Sequence, residues 1–193
     1  MAYTLDRTIA VPRLVGNPDD FLFVGALAGA TRDLLNLTQD GPNSFALSGG
    51  MGATLSIGLG LALARKDRRV MVISGDGDAL MGVGSFATIA VMNPRNLSIL
   101  VVDNGLYQET GGQATHTARG TDIERMARGA GIRSAITIDS EADLARGAAV
   151  LRDEQDASLV VLRVGPAIAP RFPRENDAAV VRARFRKNLS LST

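Results

Sequence analysis

Val70-Met71-Val72-Ile73-Ser74-Gly75-Asp76-Gly77-Asp78-Ala79 is the stretch that decides the fold. Its first half is an unbroken apolar run, the pattern of a strand covered on both faces and not of one with a wet side. Gly75-Asp76-Gly77 then breaks the run, and a helical pattern opens at Ala79. Strand, tight turn and helix in that order form the repeating unit of a parallel α/β sheet. Reading outward, further short apolar runs predict strands at Phe21–Val24, Leu97–Val102, Ala135–Ile138 and Ser158–Val164, with a shorter one at Asn43–Leu47. Helices are predicted between them at about 29–37, 52–65, 79–92, 121–130 and 140–152. Asn93-Pro94 closes the third of these, because proline disfavours helical geometry in the residue before it. Asp139-Ser140 with Glu141 and Asp143 reads as the start of the fifth. The tail after Gly165 carries Pro166, Pro170 and Pro173 and is expected to cross the surface before a last basic helix near 177–188. The expectation is one three-layer α/β/α domain over 1–193 with a mainly parallel sheet, its tail and last helix at about 165–193.

Composition narrows the chemistry. The 193 residues include no cysteine and one histidine, His116, so thiolate, iron–sulfur and multi-histidine metal sites are excluded on this chain. A formal net charge of +1 and 4% aromatic residues give no footprint for nucleic acid. No apolar stretch is long enough to span a membrane and no signal peptide is legible, so a cytoplasmic protein is expected.

In a parallel sheet, ligands bind beyond the carboxyl ends of the strands. Asp76 stands there, and Gly75 and Gly77 permit a tight turn and close approach by phosphate; a purely structural turn would use the same residues. Asp103-Asn104-Gly105 follows the next strand. It reads as a tight turn or, with Asp76, as a pair of hard oxygen ligands suited to magnesium. Twenty-six residues lie between Gly77 and Asn104, enough for one helix and one strand, so both turns fall at the same edge of the sheet.

That spacing resembles the motif of thiamine-diphosphate enzymes. The wider stretch GDGDALMGVGSFATIAVMNPRNLSILVVDNGLYQETGGQ resembles phosphonopyruvate and sulfopyruvate decarboxylases, as do VGALAGATRDLLNL and FALSGGMGATLSIGLGLALA upstream. The resemblance runs from about Phe21 to Ile132. It implies thiamine diphosphate and Mg2+ as cofactors, with the metal on the side chains of Asp76 and Asn104 and the backbone carbonyl of Leu106. It implies backbone contacts to the diphosphate from Gly77, Asp78 and Ala79 beside Gly75, with Tyr107 near the cofactor. Family members often carry Ser or Ala where Asp78 stands; a second carboxylate beside phosphate is repulsive, so Asp78 is expected to turn outward or cap the helix. Met51 takes the place of the apolar wedge that bends the cofactor, ordinary core packing being the alternative, and Gly49 would offer its carbonyl to the pyrimidine. In Tyr107–His116, which resembles the family's Tyr-Gly-x-Thr-Gly-Gly-Gln stretch with Gln108 where Gly is usual, Glu109 and His116 are catalytic candidates. A polar loop with a solvated histidine is the alternative there. Arg32 and Arg119 are candidates for the anionic end of a substrate, or surface residues.

The resemblance further implies that the glutamate activating the pyrimidine lies on a separate domain about as long as this chain. A partner alpha-type subunit is therefore expected, in a hetero-oligomer of two copies of each or more, acting on a small 2-oxoacid as a decarboxylase. A split carboligase or acyltransferase and a subunit of a 2-oxoacid oxidoreductase are the alternatives.

Overall fold

A computed structural model describes residues 4–47 and 49–190. Six strands form one parallel sheet: β1 (Phe21–Gly25), β2 (Ser44–Ala46), β3 (Arg69–Gly75), β4 (Leu97–Asp103), β7 (Ser134–Ile138) and β8 (Ser158–Arg163). A two-residue hairpin, β5 (Leu106–Tyr107) with β6 (Gln113–Ala114), stands apart from it. The order across the sheet is β2-β1-β3-β4-β8-β7. The chain leaves β1 for β2 on one side and returns to lay β3 and β4 on the other. The topological switch point therefore lies between β1 and β3, the crevice where open α/β sheets take their ligands.

Alternate residues of each strand feed two separate cores, as a strand buried on both faces must. Leu22, Val24, Val70 and Val72 pack on one face with α3 (Thr54–Ala64), α5 (Ser85–Met92), α6 (Ile123–Ala130) and α8 (Ala178–Ser190). Phe21, Phe23, Met71 and Ile73 pack on the other with α1 (Arg7–Val15), α2 (Ala28–Thr38) and α7 (Leu144–Arg152). All seven residues of β4 are buried, as befits a central strand.

Three departures from the sequence reading have physical causes. The helix expected over 79–92 is two, α4 (Asp76–Met81) and α5, separated at Gly82-Val83-Gly84. Gly82 abuts the 49–52 loop so tightly that a Cβ there would come within 2.3 Å of the Gly52 carbonyl oxygen. α1 was not legible because Pro12 sits inside it; Asp6 starts the helix by accepting from the Thr8 amide at 2.8 Å. The fifth helix begins with a 3-10 turn at Glu141–Asp143 before α7 proper, and Ser140 spends its hydroxyl on the Asp143 carboxylate at 2.7 Å.

Candidate functional site

The β3–β4 pairing sets Ser74 beside Val101 and Gly75 beside Val102, so Asp76 and Asn104 emerge at the carboxyl ends of neighbouring strands. Both line one cavity over the switch point. Its walls come from the β1–α2 turn (Leu27 to Ala30), Met51, the β3–α4 turn (Gly75 to Asp78) and the β5 region, with Leu106, Tyr107 and Glu109. Ala79 is buried behind this surface, and Gly49 is exposed and outside the lining. Ser48, which opens the glycine loop, lies outside the described residues.

Asp76 is buried and held by groups the sequence reading did not single out. The β5–β6 hairpin folds the chain back, with the Thr115 amide donating to the Gly105 carbonyl at 2.8 Å. Thr115 and Thr117 thereby come beneath Asp76, and both hydroxyls contact its Oδ2, Thr117 at 3.0 Å. Thr117 also lies 2.7 Å from Asp103 Oδ1 and 2.9 Å from the Thr115 hydroxyl. Two hydroxyl protons cannot serve these four contacts while both carboxylates are ionised, because each hydroxyl donates once. A proton on one of the carboxylates would serve a third contact, leaving the fourth as an approach of two oxygens without a proton. Burial and the neighbouring Asp76 charge push Asp103 up to about 6, against hydrogen bonds from Thr117 and Gly105. Asp76 is also raised, by burial first, with the two threonines opposing. A bound cation would reverse that pressure by favouring the charged form.

His116 between the two threonines is exposed and lines no part of the cavity. Glu109 reaches the cavity mouth, where Arg32 donates to it at 2.6 Å. Arg119 is exposed and takes no part in the lining.

Asp78 neither turns outward nor caps α4, contrary to the sequence reading. Its buried carboxylate accepts from the Gly52 amide at 2.7 Å and the Ser74 hydroxyl at 2.5 Å. The acid is spent inside the protein, where it ties the Met51 loop to the end of β3. Gly77 is needed for a different contact: a Cβ there would lie 2.3 Å from Tyr107 Cε1, so the ring packs on bare backbone.

Among the described residues no group of three or more His, Cys, Asp or Glu could hold a metal. With Asp78 bonded to Gly52 and Ser74 and Glu109 paired with Arg32, a cation in this cavity would rest on the Asp76 carboxylate and neutral oxygens. That sparse donor set suits magnesium, which keeps waters and takes ligand phosphates rather than an all-protein cage. Asn104 is preset for such a role, because its Oδ1 accepts from the Leu106 amide at 3.1 Å and fixes the side chain at the cavity edge.

Comparison with known proteins agrees with this geometry. Residues 24–162 match the family model described as thiamine pyrophosphate enzyme, C-terminal TPP binding domain, thiamine pyrophosphate being the diphosphate. The chain belongs to this family. It is 32% identical over 186 residues to sulfopyruvate decarboxylase subunit beta of Methanocaldococcus jannaschii, covering 96% of this chain and 98% of that one. It is 35% identical to phosphonopyruvate decarboxylase of Streptomyces viridochromogenes over 93% of its own length but only 45% of that protein's. A solved structure of a putative thiamin diphosphate-dependent enzyme from Mycobacterium smegmatis shares the fold, with a TM-score of 0.67 at 24% identity over 86% of this chain and 32% of that one. The family match makes this chain a thiamine pyrophosphate-binding domain. No helix among the described residues is long and apolar enough to cross a membrane.

Proposed function

We propose that this chain is the diphosphate-binding subunit of a two-subunit 2-oxoacid decarboxylase acting on a sulfopyruvate- or phosphonopyruvate-like substrate. The observation that carries the reading is the convergence of Asp76, Asn104 and Met51 on one cavity at the switch point, in a chain that matches a beta subunit over nearly its whole length. Asp76, Asn104 and the Leu106 carbonyl would hold Mg2+, and the backbone of Gly75 to Ala79 would face the diphosphate. Met51 would press against the body of the cofactor. When bound, thiamine diphosphate supplies the electron sink for loss of carbon dioxide from the substrate. The chain's own part is to fix the metal ligand Asp76 through Thr115 and Thr117, to place Met51 through Asp78, and to close the floor of the cavity with Tyr107 on Gly77.

Protonating the pyrimidine needs a carboxylic acid that the described residues lining this cavity do not leave free. Three carboxylates line the cavity. Asp76 faces the threonines, Asp78 is bonded to Gly52 and Ser74, and Glu109 is paired with Arg32. An alpha-type partner would supply the acid, in an assembly of two copies of each subunit or more. The phosphonopyruvate decarboxylase matches this chain over less than half its length, leaving room in one polypeptide for such a partner. α3 and α5 support the same reading: both are apolar all round yet leave Ile57, Val91 and Met92 exposed, as is Met81 of α4. Helices of that composition are normally covered.

The test combines chain, partner subunit, thiamine diphosphate, Mg2+ and either 2-oxoacid, and follows carbon dioxide and aldehyde. Both should appear only with both subunits present; turnover by this chain alone, or none by the pair, refutes the assignment. In calorimetry, Asp76→Ala should abolish magnesium-dependent cofactor binding, and unchanged affinity would remove Asp76 from the metal site.

A further inference from the structure

Arg7 lies in the first turn of α1, far in sequence from every motif above, yet it lines the cofactor cavity. Its side chain is 3% exposed and its partner Asp33, on α2, 4%. Asp33 takes two of the three guanidinium nitrogens, Nε at 3.0 Å and Nη2 at 2.6 Å. The third, Nη1, is buried and has no acceptor among the described residues. An arginine desolvated this fully normally has its donors satisfied, and a buried unpaired donor is costly.

The surroundings of Nη1 point to an anion. Arg7 meets the cavity beside Leu27 to Ala30, the N-terminal turn of α2, which no side chain caps. Backbone amides and the positive end of the helix dipole face that turn, a favourable setting for a phosphate oxygen. Gly29 makes the approach possible, because a Cβ there would sit 2.7 Å from Nη2 and 3.0 Å from Nη1. The guanidinium thus lies directly against the backbone of the turn, its fork held by Asp33 and its remaining edge unspent. The Arg7–Asp33 pair is neutral as a unit, so its contribution is a directed hydrogen-bond donor rather than a long-range field.

We propose that Arg7 is a phosphate-binding residue of this cavity, with Nη1 donating to an oxygen of the cofactor's terminal phosphate and Asp33 as the positioning residue that aims it. The inference rests on the thiamine-diphosphate reading of the cavity and adds to it a donor from outside the glycine and aspartate motifs. It also explains why a buried ion pair spans α1 and α2: the pair sets one nitrogen at the cavity wall.

The experiment measures, by calorimetry with Mg2+ and the partner subunit present, the affinity of the full chain for thiamine diphosphate, thiamine monophosphate and inorganic pyrophosphate. The variant is Arg7→Met with Asp33→Leu, which removes both charges together and leaves neither buried alone. Affinity for the diphosphate and for pyrophosphate should fall about ten- to a hundred-fold, the size of one charge-assisted hydrogen bond, while the monophosphate is unaffected. Unchanged diphosphate affinity in the folded variant overturns the proposal, as does an equal loss for monophosphate and diphosphate. Should the double variant not fold, Gly29→Ala is read in the same way: crowding Nη1 and Nη2 must weaken the diphosphate selectively, and equal affinities overturn the proposal. If the unaltered assembly fails to bind thiamine diphosphate, the cofactor reading itself has failed, an outcome distinct from a failure of Arg7.

Discussion

Replacing Asp78 by alanine tests whether that acid is an internal strut or a solvated helix-end residue. In the structure it accepts two short hydrogen bonds, from the Gly52 amide and the Ser74 hydroxyl, at 4% exposure. A hydrogen bond to a charged group contributes about 1.5–3 kcal/mol, so the gross loss is about 3–6 kcal/mol. Two effects reduce it. The Ser74 hydroxyl keeps a second acceptor, the Gly75 carbonyl at 3.1 Å, and the half-buried Gly52 amide can recover water. Removing a carboxylate 2 residues from Asp76 also relieves some repulsion. A net destabilisation of about 2–4 kcal/mol follows, equivalent to a fall in Tm of about 5–15 °C for a chain of this size. With no tryptophan to report, urea unfolding is followed by far-UV circular dichroism, and amide exchange is read at Gly52. Exchange at Gly52 should accelerate more than exchange in β4. Asp78→Asn, which retains one acceptor oxygen, should fall between the two proteins. Because the strut carries the Met51 loop, the alanine variant should also bind thiamine diphosphate more weakly. A loss below about 0.5 kcal/mol with unchanged exchange at Gly52 would mean that Asp78 faces solvent, and the account of the loop would be wrong.

Thr117→Val removes the hydroxyl shared by Asp76 and Asp103, leaving two raised carboxyls without their bridge; Mg2+ affinity should drop about tenfold, and calorimetry showing no change would mean that Asp76 needs no such support. Gly77→Ala should force the Tyr107 ring off the turn and weaken cofactor binding, and Tyr107→Ala in the same chain should restore part of the loss; no loss in the single variant refutes the close packing. The metal- and cofactor-free chain should show an acid-side stability gradient. Asp103 stands at about 6 when folded against an ordinary 3.8, so the folded chain holds this proton more tightly than the unfolded one. Its stabilising effect is fully present below about 4 and is lost as pH rises through about 6, by up to about 3 kcal/mol. Urea midpoints between pH 4 and 7 should therefore fall less steeply in Asp103→Asn, and identical slopes would refute the assignment.

The glycines, the two turns and the buried strands were legible because each is written locally. A strand covered on both faces needs an apolar run, and a turn close to phosphate needs glycine beside the acid. Those demands place β1, β3, β4 and β8 and bring Asp76 and Asn104 to one edge of the sheet. What escaped reading depends on contacts between distant segments. Arg7 and Asp33 are 26 residues apart and meet only because α1 packs on α2. Asp78 looked like an exposed acid because nothing near it in sequence announces that the Gly52 amide will lie 2.7 Å away.

Thr115-His116-Thr117 shows the same limit in the site itself. Judged by reactivity, the histidine is the residue to choose, since imidazole is the commonest general acid or base and a threonine hydroxyl is not. Judged by geometry, the choice reverses. The hairpin ends at Ala114 and a 3-10 turn begins at Thr117, with His116 in helical backbone geometry between them; Thr115 and Thr117 are buried there and His116 is exposed. A cavity that must hold a cation on Asp76 gains more from two neutral hydroxyls than from a group that becomes cationic itself. Threonine donates to the carboxylate without competing for the metal's charge, whereas a protonated imidazole there would repel the metal. The site therefore selects for the less reactive side chain at the point of contact. That constraint comes from the cavity's electrostatics and cannot be read from the tripeptide alone.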